Sequence, residues 1–151
     1  YRALAKQIKN HEMDKRYIAV VSGNIKENKG RIEAPVGRSK SERKKMAVVA
    51  DGREAVTEYE VVRRMGHATV VRIHLLTGRT HQIRVHFAYI HHPVLGDTVY
   101  SSGKNRYGFT SQALHAESLS FEHPRTGEYM TFVSPPPPEM QRVLEETSGG
   151  S

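Results

Sequence analysis

The densest set of Arg, His, Gly, Thr and Asp side chains in the chain lies in the stretch Leu75–Tyr100, which reads LLTGRTHQIRVHFAYIHHPVLGDTVY. Arg79 and Arg84 lie five residues apart within it. A guanidinium group is always charged and binds a carboxylate or a phosphate through two parallel hydrogen bonds. The stretch therefore indicates an anion-binding site, or an arginine that keeps a catalytic carboxylate ionised. The alternative interpretation is a pair of surface salt bridges. The same stretch also contains His81, Gln82 and His86.

The spacing of apolar residues predicts that the segment after Gly78 is a helix over about residues 80–91. A strand would place charged and core residues on one face, whereas a helix separates them. Thr80 is the predicted N-cap, and the proline at position 93 would end the helix. The predicted buried stripe consists of Ile83, Phe87 and Ile90.

The two arginines would take different positions on such a helix. Arg84 would lie on a flank beside the buried stripe, at the edge of the core and directed into a cleft. Arg79 would lie at the N-terminal end, where free backbone N–H groups also favour a phosphate. Asp97 is the only acidic residue of the stretch. Because it follows a glycine in a turn, it is predicted to cap the local backbone rather than act as a nucleophile.

Nine histidines raise the question of a metal site, but their spacing argues against one. His81 and His86 are five residues apart, whereas two zinc ligands on one helix face are normally four apart. The sequence has no cysteine and no HExxH motif. It also lacks a P-loop, a GxGxxG motif and a GxSxG nucleophile elbow. We therefore expect neither a metal nor a cofactor.

Strands are predicted on both sides of the helix expected at residues 80–91. Residues 56–64 and 68–75 alternate polar and apolar side chains and are joined by a turn at Gly66, which predicts a hairpin. Residues 15–22 form another predicted strand, with Tyr17 near its start. Such a tyrosine in a basic setting either stacks on a nucleobase or is simply half-buried.

Shorter elements complete the prediction, and together they indicate a single α+β domain with a mainly antiparallel sheet and a few flanking helices. Helices are predicted at residues 2–12 and 139–146, and a proline-rich connector precedes the second. Further strands are predicted around residues 32–36, 47–49, 113–123 and 128–133.

The balance of charge favours a polyanionic partner. Lys and Arg total 23 against 16 Asp and Glu, a formal net charge of +7. Nucleic acid is the first candidate, and an anionic membrane surface is the second. The loop at residues 38–45 carries five basic residues, which either contact phosphates or form a solvated surface. No apolar run approaches the roughly 20 residues that span a bilayer, and the first residues do not resemble a signal peptide. We expect a cytoplasmic protein that does not enter a membrane.

Two motifs resemble the RluA-type pseudouridine synthases, most closely their RluD-like branch: TGRTHQIRVH at residues 77–86 and HPVLGDTVY at residues 92–100. The segments DKRYIAVVSG, GREAVTEYEVV and ALHAESLSFEHPRTGEYMTF extend the resemblance through nearly the whole chain. It implies part of a catalytic domain over residues 1–147, followed by a flexible tail at 148–151. It also implies isomerisation of uridine to pseudouridine in structured RNA, with ribosomal RNA expected, and no cofactor or metal.

The resemblance also assigns roles to individual residues. Arg84 corresponds to the basic residue that pairs with the catalytic aspartate. Tyr17 corresponds to the tyrosine that packs on the target base and assists proton transfer, and Leu114 to the apolar residue on the other side of the base. Arg79 and His81 match the motif and are assigned structural or RNA-positioning roles.

One part of the family pattern has no counterpart in this sequence. The family's catalytic aspartate lies in an H-R-L-D segment, which does not occur here, and Asp14, Asp51 and Asp97 belong to other motifs. We therefore expect a fragment that holds the later part of a synthase, in which Arg84 lacks its carboxylate. Such a chain would be inactive alone and would self-associate through its truncated sheet. The alternative is a non-catalytic RNA-binding module.

Overall fold

The structure, a computed structural model, describes residues 14–42, 44–123 and 125–149, with side chains up to Leu144. The helix predicted over residues 2–12 lies outside these ranges. Eight strands and two helices lie within them. The strands are β1 (Asp14–Ser22), β2 (Lys29–Glu33), β3 (Val36–Arg38), β4 (Met46–Val48), β5 (Val56–Arg64), β6 (Ala68–Leu75), β7 (Leu114–Glu122) and β8 (Tyr129–Val133). The helices are α1 (Gln82–Tyr89) and α2 (Pro138–Gly149).

Six of the strands form one antiparallel sheet in the order β2-β5-β6-β1-β7-β8. The remaining two, β3 and β4, form a separate antiparallel hairpin. This architecture confirms the predicted α+β class with a mainly antiparallel sheet. The strands β2 and β8 are the edges of the sheet. Neither described helix is long and apolar enough to cross a membrane.

The strand register defines two faces of the sheet, because directly paired residues of antiparallel strands point to the same side. Tyr17 pairs with Ile73, which also pairs with Tyr59, so these three side chains lie on what we call the first face. The residues that alternate with them, such as Arg16 and Arg72, point to the second face.

Helix α1 covers the first face. The ring of Phe87 lies edge-on to that of Tyr59, with 5.4 Å between the ring centroids. Ile83 and Phe87 are buried and Ile90 is partly buried, which confirms the predicted apolar stripe. On the second face, residues of β1 and β6 are buried in the same core as two residues of α2. These residues are Ile18, Val20, Val70, Met140 and Val143.

The β5–β6 hairpin is confirmed, with Gly66 at φ 86° in the turn, a left-handed conformation that glycine adopts without strain. Helix α1 is confirmed but is shorter than predicted. The prediction of Thr80 as its N-cap is wrong, because the capping position is His81, in the left-handed conformation with φ 55°. Helix α2 extends to Gly149, three residues beyond the predicted end at residue 146.

Candidate active site

The predicted site residue Arg84 forms an ion pair with Asp97. Its Nε and Nη2 donate to the two carboxylate oxygens of Asp97, each at 2.9 Å. The side chain of Asp97 is fully buried, and 12% of the Arg84 side chain is exposed. Arg84 therefore has a carboxylate partner within this chain, which was not predicted because Asp97 was considered only as a backbone cap. The catalytic carboxylate that the resemblance assigns to Arg84 is a different group, that of the H-R-L-D segment.

Asp97 also caps the backbone, as predicted. Its Oδ1 accepts hydrogen bonds from the N–H groups of Val99 at 2.9 Å and Tyr100 at 3.1 Å. Burial alone would raise the pKa of Asp97, but the hydrogen bonds from Arg84 and these N–H groups lower it below its usual value. The pKa of Arg84 is raised, chiefly by its hydrogen bonds to Asp97. Both groups are therefore charged at neutral pH.

The ion pair uses only part of the guanidinium group. Nη1 of Arg84 has no hydrogen-bond partner among the described residues, and it is not among their buried unpartnered atoms. Asp97 thus fixes the orientation of Arg84 while leaving N–H donors at the surface. A rigidly held cation with free donors can bind a second anion.

His81 lies beside this pair. Its Nδ1 is 2.8 Å from the hydroxyl oxygen of Tyr100, and the two rings meet edge-on. Burial lowers the pKa of His81, the charge of Arg84 lowers it further, and Asp97 opposes the effect. The structure therefore brings His81 and Arg84 together through Tyr100 and Asp97, and favours a neutral imidazole at pH 7.

Arg79 takes a different direction. Its Nε donates to the backbone carbonyl of Glu54 at 2.7 Å, and its backbone N–H donates to the side-chain oxygen of Gln82 at 3.0 Å. These contacts attach the start of α1 to the segment before β5. Among the described residues, no contact joins Arg79 to the Arg84–Asp97 pair. The contacts that Arg79 makes hold α1 in place and do not bring it to the candidate site.

Tyr17 and Leu114 lie together on the first face. Tyr17 pairs with Ala116 and Ala19 pairs with Leu114, so Tyr17 and Leu114 are diagonal neighbours on adjacent strands. Such neighbours are about 7–8 Å apart, within reach of an aromatic ring. Both side chains are partly buried against the main core, and burial raises the pKa of Tyr17.

The segment after Pro93 links these two groups of residues. The N–H of Leu95 donates to the carbonyl of Val20 at 2.9 Å, and its carbonyl accepts from Ala113 at 2.8 Å. Leu95 is therefore bonded both to β1 and to Ala113, the residue before Leu114. Asp97 lies two residues after Leu95. Gly96 allows this approach, since a Cβ there would collide with the carbonyl of Ser111. No described hydrogen bond or ring contact joins Tyr17 directly to Arg84.

A buried hydrogen-bond network holds α1 against the sheet, and this network was not predicted from the sequence. The hydroxyl of Thr77 is 2.6 Å from the side-chain oxygen of Gln82, whose Nε2 donates to Thr57 at 2.9 Å. The Thr57 hydroxyl is 2.8 Å from Nδ1 of His86, and Nε2 of His86 is 2.9 Å from the carbonyl of Ala34. Every side chain in this chain of bonds is buried.

These bonds fit a neutral imidazole. In that form Nε2 of His86 donates to the carbonyl of Ala34, and Nδ1 accepts the hydroxyl proton of Thr57. Burial lowers the pKa of His86, in agreement with this tautomer. A signal was present in the sequence: Gln82 and His86 are four residues apart and each precedes a residue of the apolar stripe, Ile83 or Phe87, which places both at the edge of that stripe.

A groove of about 530 Å³ lies mainly on the second face, away from these residues. Its side chains pair with one another, as Arg72 does with Glu117 and Arg31 with Glu58. None of the predicted site residues lines this groove, so we do not assign the site to it. Among the described residues there is also no group of three or more His, Asp or Glu that could hold a metal ion.

Comparisons with known proteins agree with the resemblance. Residues 1–89 match the profile of a family described as RNA pseudouridylate synthase. The structure resembles human RNA pseudouridylate synthase domain containing 1, with a TM-score of 0.77, 25% identity and coverage of 95% of this chain and 69% of that one. The sheet and the family match together place this chain among the RNA pseudouridine synthases.

Two bacterial relatives extend the match. The chain is 46% identical over 145 residues to an uncharacterized RNA pseudouridine synthase of Bacillus subtilis, covering 96% of this chain and 48% of that protein. It is 40% identical over 154 residues to the ribosomal large subunit pseudouridine synthase D of Zymomonas mobilis, covering 96% of this chain and 48% of that protein. The chain belongs to the RNA pseudouridine synthase family and spans about half the length of these relatives.

Proposed function

We propose that this chain supplies part of the active site of an enzyme that isomerises uridine to pseudouridine in structured RNA. Ribosomal RNA is the proposed substrate class, because a relative that shares 40% of its residues is named for the large ribosomal subunit. A net charge of +7 suits an RNA partner, and the proposed location is the cytoplasm. The proposal rests on one observation in a chain of this family: Asp97 holds Arg84 in place, and this ion pair uses only part of the N–H donors of the guanidinium group.

In the proposed mechanism the target nucleotide leaves its helical stack and enters beside the first face of the sheet. The ring of Tyr17 packs on the base, and Leu114 contacts the base from the other side. Arg84 uses its remaining N–H donors to keep the catalytic carboxylate ionised. That carboxylate belongs to the family's H-R-L-D segment, which this sequence does not contain.

The reaction breaks the bond between N1 of uracil and C1′ of the ribose, and forms a bond between C5 and C1′. The C5 hydrogen leaves as a proton, and N1 gains one. The Tyr17 hydroxyl, which its raised pKa keeps protonated when the base arrives, is the proposed relay: it gives its proton to N1, and the resulting phenolate takes the proton from C5. No metal or cofactor is needed for this exchange of bonds.

Release of tritium from RNA labelled at C5 of uridine tests the proposed function. The protein for this test is a fusion in which the preceding part of the Bacillus subtilis relative, where the H-R-L-D segment is expected, is joined before this chain. We expect the fusion to release tritium. We expect Tyr17→Phe to lower kcat with little change in RNA affinity. A folded fusion that binds RNA but releases no tritium would favour the alternative, a non-catalytic RNA-binding module.

We further propose that this chain alone is inactive, because it contains no H-R-L-D aspartate. Incubation of the purified chain with unmodified ribosomal RNA, followed by mass spectrometry of the nucleosides, tests this point. The full-length Bacillus subtilis relative is the positive control. Turnover by this chain alone would refute the proposal.

A further inference from the structure

Tyr100 makes contacts around the candidate site for which the proposed mechanism has no use. Its backbone N–H donates to Asp97, and its ring lies against the guanidinium group of Arg84, with Cζ 5.2 Å from the ring centre. A cation at this distance over an aromatic ring is attracted to it. Arg84 is therefore held at one edge by Asp97 and on one face by Tyr100.

The hydroxyl group of Tyr100 joins two further elements. Its oxygen accepts the backbone N–H of Met46 at 3.2 Å and lies 2.8 Å from Nδ1 of His81. Because the oxygen accepts from Met46, its own proton is available to His81, which accepts it as a neutral ring. One hydroxyl thus connects the start of α1 with the start of β4.

Met46 is the first residue of β4 and follows the basic loop, which we define as residues 39–45. The β3–β4 hairpin packs beside α1 in a small core formed by Val36, Ala55 and Val85, against which Met46, Val48 and Tyr100 are partly buried. The side chains of Lys40 and Lys45 lie 74% and 36% exposed on the basic loop. The basic loop is therefore attached through Met46 to Tyr100, and the ring of Tyr100 lies beside Arg84.

We propose that Tyr100 is a positioning residue that holds Arg84 and the basic loop in one fixed arrangement. This inference rests on the proposed function, in which Arg84 acts at the target nucleotide, and it adds that the basic loop contacts RNA phosphates. Tyr100 sets the distance between these two contacts, so that RNA held by the loop presents its nucleotide at Arg84. The ring acts on Arg84, and the hydroxyl acts on the loop.

The two parts of Tyr100 can be separated by substitution. Tyr100→Phe keeps the ring under Arg84 but removes the hydroxyl, and Tyr100→Leu removes both. Tyr89→Phe is the matched control, because Tyr89 is 55% exposed on α1. A residue that merely fills space would tolerate Tyr100→Phe in every measurement apart from a small change in thermal stability.

The first measurement needs no RNA: the Nε–H resonance of Arg84 in a nitrogen–proton NMR spectrum of the full chain. We expect Tyr100→Leu to shift this resonance and to speed its exchange with water at least several-fold. Tyr100→Phe should retain the chemical shift because the ring remains. An unchanged resonance in Tyr100→Leu would overturn the positioning of Arg84.

The second measurement is RNA affinity, by fluorescence anisotropy with a uridine-containing stem-loop at several salt concentrations. We expect Tyr100→Phe to bind several-fold more weakly, with a salt slope smaller by about one phosphate contact, roughly 0.7–0.9. Tyr89→Phe should match the unsubstituted chain. If Tyr100→Phe kept the RNA affinity and the salt slope of the unsubstituted chain, the proposed connection between Tyr100 and the basic loop would be overturned, but the positioning of Arg84 would not. No RNA binding by the unsubstituted chain would overturn the proposed function and this connection together.

Discussion

Gln82 attaches helix α1 to the sheet at several points. Its side chain bonds to Thr77, Thr57 and the carbonyl of Val56, and all of these groups are buried. Gln82→Leu has similar volume but removes all three of these buried bonds, while Thr57 keeps His86 and Thr77 keeps the N–H of Val56. An unsatisfied buried polar group costs about 1–3 kcal/mol. We expect the free energy of unfolding, measured in urea, to fall by about 2–3 kcal/mol.

Gln112→Leu is the control for this substitution, because Gln112 is exposed in the loop before β7. Surface substitutions of this kind change stability by about 0.5 kcal/mol or less. If the two variants were equally stable, the buried network would not be what holds α1 in place.

His86 predicts a loss of stability in mild acid. Its pKa is lowered in the folded chain, so below the unfolded value of about 6.5 the unfolded chain binds the proton more readily. The stabilising contribution of neutral His86 is complete above pH 6.5 and is lost as the pH falls from there toward the folded pKa. The slope is at most about 1.4 kcal/mol per pH unit for one proton. Urea unfolding at pH 7, 6 and 5 measures it.

His86→Gln should flatten this dependence while lowering stability at pH 7. His67→Gln, at an exposed position in the β5–β6 turn, should keep the slope of the unsubstituted chain. The shift at His81 has the same sign and would remain in both variants. Equal slopes in the unsubstituted chain and in His86→Gln would contradict a neutral buried His86.

For single residues, the sequence predicted which polar side chains belong to the candidate site, but it did not predict all of their contacts. The cap formed by Asp97 followed from its place after Gly96 in a turn. Its ion pair with Arg84 did not, because the two residues are thirteen positions apart and meet only once the chain folds back at Pro93. Roles for Tyr17 and Leu114 came from the family resemblance and stay predictions.

Among the elements, the β3–β4 hairpin allows a direct test of RNA contact. Replacing Lys40, Lys44 and Lys45 by alanine removes three charges from the basic loop. Each lost phosphate contact should lower the slope of log affinity against log salt by about 0.7–0.9. We expect the triple variant to bind a stem-loop RNA more weakly, with a slope smaller by about two, as measured by fluorescence anisotropy.

The matched control removes three charges elsewhere, at Lys26, Lys29 and Arg125, which are exposed outside the hairpin. This variant has the same net charge but an intact basic loop. If both triple variants lost affinity equally, RNA binding would depend on net charge alone and not on the loop.

Strands were easier to predict than the ends of helices. Alternation over residues 56–75 and a glycine turn were enough for the β5–β6 hairpin. The start of α1 was not predictable from capping preferences, because tertiary contacts decide it. His81 takes a left-handed conformation at the capping position, where its ring meets Tyr100.

For the molecule as a whole, strand β8 is an edge of the sheet formed by the described residues, and it has exposed apolar side chains. Tyr129, Phe132 and Val133 are 64%, 53% and 76% exposed. An unpaired apolar edge strand is a template for pairing with another chain. We propose that a second copy covers it, and we expect sedimentation velocity to show dimers that increase with protein concentration.

Val133→Lys should abolish this association, since a charge at the edge opposes strand pairing. Val62→Lys, at an exposed apolar position on β5, should leave it unchanged. A chain that remained strictly monomeric at every concentration would contradict the proposal.

The fold class was predictable for the whole molecule because alternation, turns and the apolar stripe of α1 all indicated the same layered arrangement. The order of strands in the sheet was not. The strand β1 lies between β6 and β7, and this order depends on contacts between residues 46 or more positions apart, the smallest separation being Ser22 to Ala68.

The central claim is that Arg84, fixed by Asp97, serves the catalytic carboxylate of a pseudouridine synthase. Tritium release by the fusion protein, with and without Arg84→Met, tests it most directly. Methionine keeps much of the apolar length but has no charge and no donor. We predict that Arg84→Met lowers tritium release at least about 100-fold while RNA affinity changes by less than tenfold, a loss of roughly 2.7 kcal/mol in transition-state stabilisation. Equal tritium release by the two fusions would contradict the account.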